Sequence, residues 1–281
     1  MNYNNVIGAY QKDGIIGASN VIIGKLGIKY RIHNQIDRRL IFLENKIRQL
    51  SSNTVMNGIF KGMIISEDKF WGNNYKDIPS KLLGTYEIEV QNKLALLQKE
   101  NTKKYLINLG GGDGFYAIGA LKSKLFENVI VYELSPNGQR VISMNARLNK
   151  IQDNLIIKPK AKREFLKNEI FYTIDLKECI FLIDIEGDEF NLLDNDNLIL
   201  LSDSILIIEY HDFKLKVKSE SKEFFKRIEE FFSIEILTTG SRDLSTIDAI
   251  KDFEDIDRWL LVSEARPCLM KWLVCRPLSK N

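Results

Sequence analysis

The sequence predicts an α/β fold: a seven-stranded, mainly parallel sheet with helices on both faces, preceded by a helical extension. Three observations lead there. From about residue 100 onward, short apolar runs of strand length alternate with helical stretches. One run, Tyr105 to Leu109, passes straight into Gly110-Gly111-Gly112-Asp113-Gly114, and the next run closes on a carboxylate, Glu133. Charge divides at the same place. Residues 1–100 hold 14 basic and 9 acidic side chains, a net of +5, while the whole chain of 281 residues is +2, leaving −3 beyond residue 100.

Composition bounds the rest. A charge of +2 excludes a basic sheath that binds nucleic acid through its phosphates. Three cysteines, Cys179, Cys268 and Cys275, form no CxxC pair, and the histidines are His33 and His211 alone. That set argues against a disulfide framework or a Cys/His zinc site and fits a reducing, cytoplasmic setting. The opening MNYNNVIGAYQKDG has no basic lead and no apolar run of signal length, so it reads as uncleaved. No run approaches the roughly 18 apolar residues of a membrane span, and a soluble protein is expected.

In chain order, Val6 to Ile28 is apolar and glycine-rich and reads as a buried hairpin or capping segment, in preference to one lying on a membrane surface. From Arg31 to Leu50 the residues Ile32, Ile36, Leu40, Leu43, Ile47 and Leu50 recur at helical spacing. That stripe serves either packing on its own domain or a homodimer seam through the 31–50 helix. The turn-rich stretch that follows, with Gly58, Gly62, Gly72 and Asn73-Asn74, reads as a short hairpin and loop. Ser80 to Glu100 is helical with a break near Gly84. The expected division is an extension over 1–79 and a catalytic domain over 80–281.

Strands are expected at Tyr105 to Leu109, Val129 to Glu133, Leu155 to Pro159, Ile180 to Ile185, Ile205 to Tyr210, Ile234 to Thr238 and Met270 to Cys275. Helices fall between them at Tyr116 to Leu125, Asn137 to Asn149, Arg163 to Asn168, Glu189 to Leu200 and Ser219 to Phe232. The long connection from Thr239 to Leu269 has the length of a functional loop.

Glycines between a strand and a helix permit positive φ and close approach of a ligand, and the helix start offers unpaired N–H groups. A carboxylate at the end of the next strand is placed to accept both hydroxyls of a ribose, so the pair suggests a nucleoside cradle. Gly112-x-Gly114-x-x-Ala117 also satisfies a dinucleotide fingerprint, which keeps a nicotinamide-dependent reductase as an alternative. Three features favour S-adenosylmethionine. Gly110, Gly112 and Gly114 fit the tighter GxGxG spacing, Asp113 would repel a pyrophosphate, and a sulfonium ligand carries no phosphate. The strand succession also lacks a second mononucleotide half and has the outline of a methyltransferase sheet.

The residues Asn-Leu-Gly-Gly-Gly-Asp-Gly-Phe-Tyr-Ala over 108–117, Tyr-Glu-Leu-Ser-Pro over 132–136 with Asn145 and Asn149 downstream, and Leu-Ile-Asp-Ile-Glu-Gly-Asp-Glu over 182–189 together resemble the FkbM-type methyltransferases. The last motif is similar to that family's D-x-E-G-x-E signature. Leu83-Gly84-Thr85-Tyr86-Glu87 and Ile208-Glu209-Tyr210-His211 resemble further parts of the family, and the likeness covers residues 80–212. It implies a Rossmann-like seven-stranded sheet and methyl transfer from S-adenosylmethionine, with O-methylation of a sugar, glycan precursor or small-metabolite hydroxyl as the expected reaction. It implies that Gly110, Gly112 and Gly114 line the methionine side, that Glu133 binds the ribose, and that Leu134 and Ala161 meet the adenine. Asn108, standing where many methyltransferases carry an acid, and Asp113 join this cofactor set, and Glu87 is placed to reach the cofactor's amino group.

Asp184 ends an apolar strand at the carboxyl edge of the sheet, where it can hold the cofactor's ammonium group, orient the acceptor or take a proton. Glu209, Tyr210 and His211 end the next strand on the same edge, and His211 is the expected general base because an imidazole titrates near 6.5. Asp184 and Glu209 complete the expected catalytic set. Glu186 and Tyr210 are expected at the acceptor, while Asp188 reads as a helix cap. Asp184, Glu186, Glu209, His211 and Asp212 are alternatively able to hold a divalent cation, but the paired Asp-Asp of magnesium-dependent sugar O-methyltransferases is missing, so no metal is expected. Arg242, Arg258, Trp259 and Arg266 in the long loop suggest a lid with a cationic grip on a small-molecule or glycan acceptor. A further alternative is a catalytically silent interaction protein that keeps the cofactor pocket.

Overall fold

The computed structural model describes residues 3–25, 34–68, 76–167 and 169–278. Strands β1 (Tyr105–Leu109), β2 (Asn128–Tyr132), β3 (Leu155–Lys158), β4 (Cys179–Ile183), β5 (Ile205–Glu209), β6 (Phe232–Thr238) and β7 (Lys271–Pro277) form one seven-stranded sheet in the order β3-β2-β1-β4-β5-β7-β6. β1 to β5 pair in parallel, while β7 lies antiparallel between β5 and β6. This is the Rossmann-like sheet expected from the sequence. β1 and β4 are neighbours although their connections leave in opposite directions, which opens a crevice at the carboxyl ends of these two strands. β4 and β5 are buried along their whole length, so their side chains are apolar without alternation, save the buried Glu209 that ends β5.

Between the strands run α5 (Phe115–Lys122), α6 (Pro136–Asn149), α7 (Glu189–Leu192), α8 (Asn195–Leu201), α9 (Lys218–Glu229) and α10 (Asp255–Val262). Two expected helices differ. Arg163 to Asn168 forms only a 3₁₀ turn at Phe165–Lys167, with residue 168 outside the described residues. Glu189 to Leu200 divides in two because Asp194 caps a new helix, its carboxylate accepting the Asn197 N–H.

Ahead of the sheet lie α1 (Tyr3–Lys25), α2 (Gln35–Ser51), α3 (Ile78–Leu83) and α4 (Ile88–Asn101), of which α1 and α2 fall in the extension expected over 1–79. α1 corrects the hairpin expected over Val6 to Ile28: this segment satisfies its backbone as one helix, with residues 26–28 outside the described residues. In α2, Leu40, Leu43 and Ile47 are buried, whereas Ile36 and Leu50 are exposed; Ile32 lies outside the described residues. The stripe is therefore used within the chain, where Leu43 and Ile47 join Val55, Phe60 and Met63 in the core beneath α5. The expected hairpin reduces to a single bridge, Thr54 to Ile64, and Gly72 and Asn73-Asn74 lie outside the described residues. Asn149 and Asn145 in α6 accept the N–H groups of Ile64 and Ser66 at 2.8 Å, fastening this segment to the sheet domain. Gly84 ends α3 at φ 77, the break read from the sequence. No described helix is long and apolar enough to cross a membrane.

Candidate active site

The turn after β1 approaches β4 more closely than any side chain permits. A Cβ at Gly110, where φ is 85, would lie 1.6 Å from the Asp184 carbonyl oxygen. On the other side, β2 delivers Glu133 to the mouth of the crevice. Its Oε2 accepts the Gly112 N–H at 2.8 Å and its Oε1 accepts the Ser135 N–H at 2.7 Å, so both oxygens are oriented and each retains accepting capacity. Between these walls lies a cavity of about 460 Å³. Asn108, Gly110, Gly112, Asp113, Glu133, Leu134, Ala161, Asp184 and Glu186 all line it. Gly114 does not: it caps α5 and packs against Ile118 and Ile142.

Asp113 is not the bare charge expected. Its Oδ2 lies 2.7 Å from Lys81 Nζ, and the same ammonium meets Asp77 at 2.8 Å. Burial alone would lower the Lys81 pKa, but the two carboxylates reverse this and raise it. The repulsion of a diphosphate belongs instead to the cavity as a whole. Its wall carries Asp77, Asp113, Glu133, Asp184, Glu186 and Asp188 against Lys81 and Lys160, and Lys160 is itself paired with Asp188 at 2.6 Å. Asp188 stands at the N-cap of α7, the cap read from the sequence, without a side-chain hydrogen bond to the helix.

At the ends of β4 and β5, His211 is buried with Nδ1 3.0 Å from Glu189 Oε1 and Nε2 3.2 Å from Glu209 Oε2. Burial lowers the imidazole pKa, but the carboxylates of Glu189 and Glu209 outweigh it and raise the value to about 10. Two carboxylates at hydrogen-bonding distance favour its protonated form, which opposes the general-base role read from its ordinary pKa. Asp184 faces the cavity, and burial together with the Glu209 carboxylate pushes its pKa well above the usual range. Glu186, at φ 60, is exposed and paired with Lys214.

The remaining expectations are corrected by ion pairs. Glu87 is 1% exposed, accepts the Tyr116 hydroxyl at 2.6 Å and pairs with Arg266, so it is not free to receive a ligand amine. Arg266 also meets Glu209 at 2.6 Å and Glu264 at 3.2 Å, with its guanidinium over the Tyr86 ring. Arg242 is clamped between Glu89 at 2.5 Å and Glu264 at 2.7 Å, and donates to the Thr85 carbonyl. Neither arginine is available as a substrate grip. Arg258 pairs with Asp255, and Trp259 is half-exposed on α10, outside the cavity lining. Tyr210 turns into the opposite core, where its hydroxyl meets Ser221 and its ring packs on Phe190 and Phe224. Sequence reasoning missed Lys81, Glu189 and Glu264. Glu189 alone had a signal, being the last acid of the 182–189 motif.

No family model matches this chain, and no curated protein matches it. Among solved structures it is similar to an O-methyltransferase from Bacillus cereus in complex with SAH, at 11% identity over 92% of this chain and 97% of that one, with a TM-score of 0.46. It is also similar to a precorrin-6y C5,15-methyltransferase from Geobacter metallireducens, at 11% identity over 67% of this chain and 89% of that one, TM-score 0.41. A tRNA (m1A58) methyltransferase from Aquifex aeolicus matches at 12% identity over 68% of this chain and 69% of that one, TM-score 0.41. At these scores the likenesses add nothing to what strand order and cavity show by themselves: a Rossmann-like seven-stranded α/β protein with an acidic cavity at its switch point.

Proposed function

We propose that this chain transfers a methyl group from S-adenosylmethionine to an acceptor, and that it O-methylates a hydroxyl of a sugar, glycan precursor or other small metabolite. The carrying observation is the cavity wall at β1 and β2. An oriented carboxylate, Glu133, faces a side-chain-free turn in a cavity whose lysines are both internally paired. Such a wall suits a nucleoside bearing a sulfonium and an ammonium, and offers no cation to a pyrophosphate. Glu133 would hold the ribose hydroxyls, Leu134 and Ala161 would flank the adenine, and Asp184 would face the methionine and acceptor end. When bound, the cofactor supplies an electrophilic methyl group. The chain's own contribution is placement: methyl transfer from a sulfonium depends chiefly on in-line positioning. Three free cysteines support the cytoplasmic reading. Calorimetry with S-adenosylhomocysteine should show binding, and Glu133→Ala should weaken it about tenfold or more through lost charge-assisted hydrogen bonds. Binding of a reduced nicotinamide dinucleotide in its place would refute the reading.

A further inference from the structure

We propose that Asp184, Glu186, Glu209 and His211 form a binding site for a divalent cation, with Glu189 holding the histidine in ligating form. One ligand atom from each of Asp184, Glu186 and His211 lies within 4.8 Å of the others. From Nε2, Glu209 Oε2 is 3.2 Å, Glu186 Oε2 3.7 Å and Asp184 Oδ1 3.8 Å away. Donors held at about 2.1 Å around a six-coordinate cation stand about 3 Å apart when adjacent and about 4.2 Å apart when opposed, so these spacings need little adjustment.

Two observations point to a ligand rather than to a mere crowd of acids. The first is the tautomer. Glu189 is fully buried, accepts the backbone N–H groups of Gly187 at 2.8 Å and His211 at 3.2 Å, and faces Nδ1 at 3.0 Å. A carboxylate fixed in this way keeps a proton on Nδ1 and turns the Nε2 lone pair toward Asp184, Glu186 and Glu209, which is how second-shell carboxylates orient metal-bound histidines. The second is Asp184, whose Oδ1 atom has no hydrogen-bond partner although its side chain, 31% exposed, lines the cavity.

Charge agrees. Around His211 stand four carboxylates, and the permanent cations paired with them among the described residues are Arg266, which Glu209 shares with Glu87 and Glu264, and Lys214 on the exposed Glu186. A divalent cation among Asp184, Glu186 and Glu209 would offset the charge that remains. Asp212, part of the set read from the sequence, drops out because it pairs with Lys271 at 3.1 Å. One imidazole with three carboxylates suits Mn²⁺ better than Mg²⁺ or Ca²⁺. Asp184 and Glu186 line the cavity, so the cation would border it. A role beside a methyl donor rests on the proposed function; the site itself does not.

Chelator-treated full-length protein titrated with MnCl₂, following the electron paramagnetic resonance of free Mn²⁺, should show saturable binding, tighter than Mg²⁺ in competition. Glu189→Gln should weaken Mn²⁺ about 10- to 100-fold, as losses of outer-shell partners do. Glu186→Gln, which alters an exposed side chain and leaves the fold intact, should weaken it too. Absence of saturable binding, or unchanged affinity in Glu186→Gln, would overturn the site. Calorimetry with S-adenosylhomocysteine on the same samples separates the two proposals. Binding of this nucleoside without Mn²⁺ binding removes the metal site alone, and Mn²⁺ binding without the nucleoside removes the methyl-donor reading alone.

Discussion

Replacing Arg266 by Met tests whether this arginine is a structural clamp or a substrate grip. Its guanidinium is the shared partner of Glu87, Glu209 and Glu264, whose side chains are 1%, 2% and 5% exposed. Removing the cation while three buried carboxylates remain falls in the range of about 3–5 kcal/mol measured for breaking buried pairs. Arg266 is itself 20% exposed, and water reaching it places the expected loss at the lower end, about 3 kcal/mol. For a chain of this size that corresponds to a fall in Tm of roughly 6–12 °C. Urea unfolding followed by circular dichroism, with intrinsic fluorescence as a second probe, measures it. A loss below about 1 kcal/mol would mean that Arg266 exchanges readily with solvent. It would then be free to swing toward the cavity, and the clamp would be refuted.

Other expectations follow from equally specific contacts. Glu264 is pushed up to about 7 by burial, which Arg242 opposes. Its folded pKa lies above its unfolded value, so its contribution is fully present below about pH 4.5 and is lost as pH rises through 7; stability should fall by about 2 kcal/mol between pH 5 and pH 8. Glu264→Gln should flatten that slope in denaturation at pH 5, 6, 7 and 8, and parallel slopes for the two proteins would show that another group carries it. Gly119→Ala would set a Cβ 2.5 Å from the Phe60 ring and should destabilise by about 1–3 kcal/mol through overpacking. Proteolysis would locate that effect by faster cleavage within 54–66, and unchanged cleavage would show that Phe60 does not fasten this segment.

The division between legible and illegible features follows distance along the chain. β1 matches its expected bounds and β2, β4 and β5 fall within two residues of theirs, because an inner parallel strand is largely apolar and the signal is local; β3, at the sheet edge, ends one residue short of its expected bound. Glu133 was legible for the same reason: a strand end and a glycine turn in sequence register define a place in space. Val6 to Ile28 failed because a short apolar stretch with glycines suits a hairpin and a helix alike. The arginines failed because their partners are far away, with Glu87 and Arg266 separated by 179 positions and Glu89 and Arg242 by 153. Of the three acids that meet Arg266 only Glu264 is near in sequence, two positions away, and it announces neither Glu87 nor Glu209.

The same limit explains His211. Its residue type announces a titratable group near neutrality, but α7 opens on the buried Glu189, whose carboxylate 3.0 Å from Nδ1 joins Glu209 in raising that pKa. Charge links these failures. The −3 balance beyond residue 100 is not spread evenly: at the carboxyl edge of β4 and β5, carboxylates outnumber the cations that pair with them. The described arginines that sequence reading would aim at an anionic acceptor are spent on Glu87, Glu89, Glu209 and Glu264, and carboxylates remain in excess. A cavity lined in this way suits positive ligands. A sulfonium nucleoside at the Glu133 end and a divalent cation at the His211 end both answer that demand, and an acceptor bearing a phosphate or carboxylate would meet no unpaired arginine from this set.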